Sequence, residues 1–222
     1  MLDILYEDEA LLFVNKPAGI VVQRGYDAEE PVLLEAAMEY TQPLFLMQRL
    51  DRGTSGVMFF SKLASINANL TRQFEQKRIR KRYIAICEGE LGQRQTIDAP
   101  LIRIGPISFG AGDGGKRAIT IVTPLRATPR GSLVGIDLMT GRTHQIRVHL
   151  AAIGHPLAGD WLYGQRNEAR PMLHARELSM THPLRNEPLR VVAAIPDDFR
   201  EVAAARGIVS RSEDIMTLCE SS

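Results

Sequence analysis

The stretch Gln48-Arg-Leu-Asp-Arg-Gly-Thr-Ser-Gly56 carries the first residues that could do chemistry. Asp51 has Arg49 and Arg52 beside it, and cations near a carboxylate favour its charged form. An ionised carboxylate away from any metal can act as a nucleophile or as an electrostatic stabiliser. Gly53 and Gly56 let the backbone bend sharply and let a ligand approach, with Thr54 between them. The same residues also suit a surface turn in which Asp51 caps the backbone and Arg49 pairs with it.

A second constellation is Thr140-Gly-Arg-Thr-His-Gln-Ile-Arg-Val-His149. Thr143 is placed to cap a helix over 144–153, which ends at Gly154 with Pro156 just beyond. Arg142 and Arg147 are five residues apart at this loop-to-helix junction and could hold an acid or phosphates. His144 and His149 are also five apart, not the four that puts two ligands on one helical face, so a zinc site is disfavoured.

The third is the basic run Lys77-Arg-Ile-Arg-Lys-Arg-Tyr83, which includes Arg78, Arg80 and Lys81. Residues 72–82 hold six cations and one anion. Bases next to an aromatic suit RNA, where phosphates meet the cations and a splayed base stacks on the ring. They equally suit a solvated helix end with cations at its negative pole, Tyr83 then being a core strand residue. A fourth, Leu173-His-Ala175, lies on a strand, where a lone histidine is ordinarily a core residue.

The elements that must position these residues follow from pattern. The spacing predicts strands at 2–6, 11–14, 57–60, 82–88, 118–125, 133–139, 172–180 and 189–195. Helices are predicted at 31–40, 62–76 (Leu63, Ile66, Leu70 and Phe74 on one face) and 197–206, with Asp197 and Asp198 as caps. Gly105–Gly115 reads as a flexible loop, and residues 210–222 as a frayed tail after a single domain over 1–209. Strands outnumber helices without strict βαβ alternation, which implies an α+β fold with a mixed, largely antiparallel sheet.

Composition narrows the class. The chain has 222 residues, 45% hydrophobic and 24% charged, which excludes disordered, collagenous and coiled-coil proteins. No apolar run reaches the length of a membrane helix, and residues 1–8 lack the features of a signal or transit peptide. Cys87 and Cys219 are far apart with no C-x-x-C, so a reducing cytoplasm is the expected setting. Net charge is +1, but 22 of the 27 bases are arginine, whose planar fork suits phosphates and carboxylates. Neither a phosphate-binding G-x-x-x-x-G-K-[ST] nor a G-x-G-x-x-G after a strand is present.

Together the motifs resemble one family. Arg-Leu-Asp-Arg-x-Thr-Ser-Gly at 49–56, Lys-x-Tyr at 81–83, Gly-Arg-Thr-His-Gln-Ile-Arg-Val-His at 141–149 and Leu-His-Ala at 173–175 are similar to those of RluA-type pseudouridine synthases. Asn15-Lys-Pro-x-Gly and Gly154-His-Pro-Leu-x-Gly-Asp160 match as well, so the resemblance runs from about residue 2 to 196. It implies the pseudouridine synthase fold and an enzyme that isomerises uridine to pseudouridine in ribosomal or transfer RNA, without cofactor or metal. It places the catalytic carboxylate on Asp51, base flipping on Arg49, stacking against uracil on Tyr83, pairing with the aspartate on Arg147, and pocket lining on Leu173. Arg52, Thr54, Arg142, His144, Arg78, Arg80 and Lys81 are expected to contact RNA. A target base held in a duplex must leave the stack to be reached.

Gln48 stands where the family usually has histidine. The small RNA-binding domain that many relatives carry in front is expected to be absent, and a monomer is the family-like state. Two other classes fit parts of the pattern. One is a non-catalytic RNA-binding assembly protein on the same fold. The other is a nucleoside or sugar hydrolase, which needs a second acid, with Glu35 and Asp160 as candidates.

Overall fold

The computed structural model describes residues 2–25, 31–210 and 215–220. The chain folds into two compact units, Met1–Lys81 with Ala175–Ala194, and Arg82–His174 with Ile195–Ser222.

In the first unit, β1 (Ile4–Glu7) pairs antiparallel with β2 (Leu11–Lys16), and β2 pairs antiparallel with β4 (Ser55–Ser61). β3 (Phe45–Leu46) adds to one part of β4. All seven residues of β4 are buried, as its unbroken apolar run implies for a strand covered on both faces. Phe13 stacks on Phe59 at 5.1 Å and Phe59 on Phe74 at 6.2 Å, which packs the next helix onto the sheet. Helix α1 (Leu33–Tyr40) has no side-chain cap. Its Leu33 and Leu34 amides instead donate to the carbonyls of Val21 and Val22.

The helix predicted over 62–76 is shorter and divided. A single 3₁₀ turn occupies Ala64–Ile66, and α2 covers Asn67–Glu75. Ile66 and Leu70 are buried as the spacing requires, but so is Gln73. Its amide donates to the Thr181 carbonyl (2.9 Å) and accepts from the Thr181 amide (3.1 Å). A polar residue on a buried face is thus satisfied by a strand edge far away in sequence.

In the second unit, β5 (Arg80–Cys87), β6 (Gln95–Asp98), β9 (Ile119–Thr128) and β10 (Gly131–Leu138) pair in the order β5-β10-β9-β6, every pair antiparallel. Helix α3 (Gln145–Ala152) buries six consecutive residues, Gln145 to Leu150. Helix α4 (Asp197–Ala205) packs Phe199 and Ala203 against Ile84, Ile86 and Leu133. In the first unit, β12 (Pro188–Val192) pairs antiparallel with residues 177–181 of β11 (Leu173–Thr181). The arrangement is the α+β class expected, with a large sheet and short helices.

Several local expectations are corrected. Gly105–Gly115 is not simply a loop: β7 (Leu101–Arg103) and β8 (Phe109–Ala111) form a hairpin across it. Gly115 marks close backbone approach, since a Cβ there would stand 2.5 Å from the Leu101 carbonyl carbon. Asp197 and Asp198 do not cap α4; Pro196 holds that position. Asp198 instead grips Arg170. Within the tail expected to be frayed, α5 (Ile215–Glu220) is helical and Ile215 is buried in the second unit's core. Residues 211–214 and 221–222 lie outside the described residues.

Candidate active site

The residues singled out from sequence divide between the units. Arg49, Asp51, Arg52, Thr54, Arg78, Arg80 and Lys81 belong to the first; Tyr83, Arg142, His144, Arg147 and Leu173 belong to the second.

In the first unit the Asp51 turn closes by a bond from the Thr54 amide to the Asp51 carbonyl at 3.1 Å. Thr54 is buried, Asp51 half-buried, and Arg49 and Arg52 exposed. The turn is gripped by the segment Asn15-Lys-Pro-Ala-Gly19. The Gly19 amide donates to the Arg52 carbonyl (2.8 Å), and Arg52 Nε donates back to the Gly19 carbonyl (3.1 Å). Lys16 is fully buried, and its Nζ donates to the carbonyls of Pro17 (2.8 Å), Ile20 (2.9 Å) and Arg52 (3.2 Å). A buried ammonium demands such acceptors, and here they bind the two loops together. In the sequence 15–19 reads as a turn and as a family-like motif, with no role for Lys16; an apolar strand running into a lysine is the available signal of this brace.

Gly56 sits at φ 115°, and a Cβ there would meet the Ala175 carbonyl oxygen at 2.2 Å. Only glycine permits this approach at the start of β4. The basic run separates by environment. Arg78 and Arg80 are exposed. Lys81 lies over the Phe74 ring at 5.4 Å, and burial pushes its ammonium pKa below the ordinary lysine value.

In the second unit Tyr83 is buried on β5 opposite Ile136 of β10. Arg147, on α3, is 6% exposed and forks onto Asp160, Nε to Oδ2 and Nη2 to Oδ1, each at 2.7 Å. Asp160 is fully buried, and its Oδ1 also accepts the amides of Leu162 and Tyr163. The resemblance led to Asp51 as the partner of Arg147; the carboxylate seen to take its fork is Asp160. Gly159, at φ 76°, has the Arg170 carbonyl where a side chain would stand, which brings Asp160 into place.

Thr143 is not the helix cap. His144 occupies the N-cap position at φ 56° without a side-chain cap bond. The entry to α3 is organised by Gln145, whose Oε1 accepts from Thr140 Oγ1 (2.8 Å) and the Arg142 amide (3.1 Å), while Nε2 donates to Ile119 O and Thr120 Oγ1. Arg142 is exposed and donates from Nε to the Arg117 carbonyl. His144 packs between Phe109 and Tyr163 rather than standing alone. His149 bonds Thr120 Oγ1 and the Ala99 carbonyl, and burial lowers its pKa, so it is a neutral core histidine. Leu173 is buried, and its carbonyl accepts from Arg170 Nη1 at 3.3 Å. Among the described residues no cluster of three or more His, Cys, Asp or Glu could hold a metal.

The geometry is that of an α+β protein with a carboxylate on a braced turn, a buried tyrosine on a strand and a clamped arginine. A family model described as RNA pseudouridylate synthase matches residues 10–152. The chain is 38% identical over 214 residues to the uncharacterized RNA pseudouridine synthase YhcT of Bacillus subtilis, covering 90% of this chain and 71% of that protein. It is 34% identical to ribosomal large subunit pseudouridine synthase D of Nitrosomonas europaea (92% and 65% covered) and 34% identical to tRNA pseudouridine synthase C of Salmonella typhi (97% and 95%). The solved structure of human RNA pseudouridylate synthase domain containing 1 shares its fold with a TM-score of 0.78 at 24% identity, covering 100% of this chain and 94% of that one. The family model and the relatives therefore define an RNA pseudouridine synthase. The chain belongs to the RluA-type family of these enzymes.

Proposed function

We propose that this enzyme isomerises specific uridines of structured ribosomal or transfer RNA, with Asp51 as the essential carboxylate. The observation that carries the reading is that the family match over 10–152 spans Asp51, Tyr83 and Arg147 in their motifs. The bond from C1′ to N1 breaks, the base rotates, and C5 joins C1′; C5 loses its hydrogen as a proton and N1 gains one. The reaction is redox-neutral and uses no cofactor.

Asp51 acts at the sugar or base while Arg147 pairs with it and Tyr83 stacks against the uracil. Arg49 takes part in extruding the target nucleotide, since chemistry on a stacked base is sterically barred. Arg52, Thr54, Arg142, His144 and Leu173 shape the site, and Arg78, Arg80 and Lys81 meet the RNA backbone. The braced turn supports this reading, because a carboxylate must be held in place for its attack or proton transfer to be productive. We place the catalytic domain over residues 1–209, with Ile215 of α5 packing into its core.

The test uses RNA tritiated at C5 of uridine, taken from cells lacking the protein. Wild type should release tritium and Asp51→Asn should not, while the variant still binds RNA. Wild-type release by Asp51→Asn would remove Asp51 from the catalytic role.

A further inference from the structure

Tyr163 lies in the turn after Asp160 and has no role in the mechanism so far. Three residues of the second unit meet on it, Arg147 and His144 from α3 and its N-cap and Phe109 from β8. Its ring carries the Arg147 guanidinium at 5.1 Å. Its hydroxyl accepts from the Phe109 amide at 3.0 Å and hydrogen-bonds His144 Nδ1 at 2.8 Å. The His144 ring meets Tyr163 edge-on at 5.6 Å and Phe109 at 5.8 Å. Phe109 opens β8, the second strand of the 101–111 hairpin, and packs with Tyr163 against Leu101, Ala118 and Val148.

These contacts do different work. The Asp160 carboxylate holds the guanidinium by one edge. An edge-held plane can still hinge about that edge, and a ring against its face resists the hinge. The ring is itself anchored at its hydroxyl end by the hairpin backbone and by His144. His144 holds φ 56°, sparsely populated for a residue with a side chain, and in that conformation its ring reaches both aromatics.

We propose that Tyr163 is a positioning residue for Arg147, and that it makes the tilt of the guanidinium depend on the seating of the 101–111 hairpin. The catalytic consequence rests on the reading of Arg147 given above; the positioning itself does not.

The experiment has two arms on the full chain. The first follows the Arg147 Nε–H signal by ¹⁵N NMR in the free protein, assigned by its loss in Arg147→Lys. Tyr163→Leu should broaden it or speed its solvent exchange about tenfold, as expected for an opened local contact. Tyr163→Phe, which keeps the ring, should do so less. The second arm measures tritium release. Tyr163→Leu should lower kcat by about tenfold or more with KM within about twofold, because misplacement acts on the chemical step. Phe109→Ala combined with Tyr163→Phe should cost little more than the worse single variant, since both weaken one link.

An unchanged Arg147 signal in Tyr163→Leu overturns the proposal. So does a rise in KM at constant kcat, or a loss of activity that only follows the unfolded fraction measured by circular dichroism. If the NMR response appears but wild type releases no tritium from any RNA, the positioning stands and the functional reading fails.

Discussion

Arg147 and Asp160 form a closed two-bond pair, Nε–Oδ2 and Nη2–Oδ1 both at 2.7 Å, with the carboxylate wholly buried. Removing one charge from such a pair costs the other a buried, hydrogen-bonded partner. Asp160→Asn should therefore lower stability by about 3–5 kcal/mol. Urea unfolding of the two proteins checks this. A loss below about 1 kcal/mol would mean that Arg147 is held by its other neighbours. The burial of Asp160 against Arg147 also removes it as the free second acid that a hydrolase would need. Glu35 is paired with Arg24, but at the surface, where such a pair holds only weakly.

Lys16 should matter for the turn more than for charge. Lys16→Met keeps the length of the side chain but strips donors from the carbonyls of Pro17, Ile20 and Arg52. Unsatisfied buried acceptors should cost about 2–3 kcal/mol in urea unfolding. Tritium release at 25 °C should fall further than the unfolded fraction explains, because the Asp51 turn loses its brace. Activity that merely follows the folded fraction would show that the brace serves folding alone.

Cys87 is buried on β5, and burial pushes its thiol up to about 12. The thiolate is the reactive form, so this cysteine should be inert in the native protein. In a Cys219→Ser background, a chromogenic disulfide reagent at pH 8 should label nothing until denaturant is added. Prompt labelling of the native protein would contradict the burial of β5.

The acid limb of stability should depend on Asp8. Burial alone would raise its carboxyl, but bonds from Tyr6, the Ala10 and Leu11 amides and His182 outweigh it and hold it below the ordinary value. A depressed folded-state pKa stabilises fully above the unfolded value, near 3.9, and the benefit is lost as pH falls through the folded one. Wild type should lose stability between about pH 5 and 2 more steeply than Asp8→Asn. Parallel acid limbs for the two proteins would exclude Asp8 as a contributor.

The basic run shows how far a linear reading goes. Its two interpretations, an RNA-facing cluster and a solvated helix end, differ only in where each side chain points. The strand alternation of β5 separates them residue by residue: Arg80 and Arg82 face outward, while Tyr83 is buried. The Phe74 ring draws Lys81 partly inward. Gly105–Gly115 illustrates the opposite failure. Five glycines signal freedom in a sequence, yet here Gly115 marks close passage of chains within a hairpin.

Short-range pattern was enough for the α+β class, the apolar strand β4, the burial of Ile66 and Leu70 on one helical face, and the family motifs with Asp51, Tyr83 and Arg147 in order. Those features depend on side-chain periodicity and on residue type at fixed spacing, both local. Tertiary structure alone decided that Lys16 braces the Asp51 turn, that Gln145 rather than Thr143 organises the start of α3, and that Asp160 and Tyr163 hold Arg147. Each of these is a polar group buried by folding, and a buried polar group takes whichever partner the packed chain brings within reach, however distant in sequence.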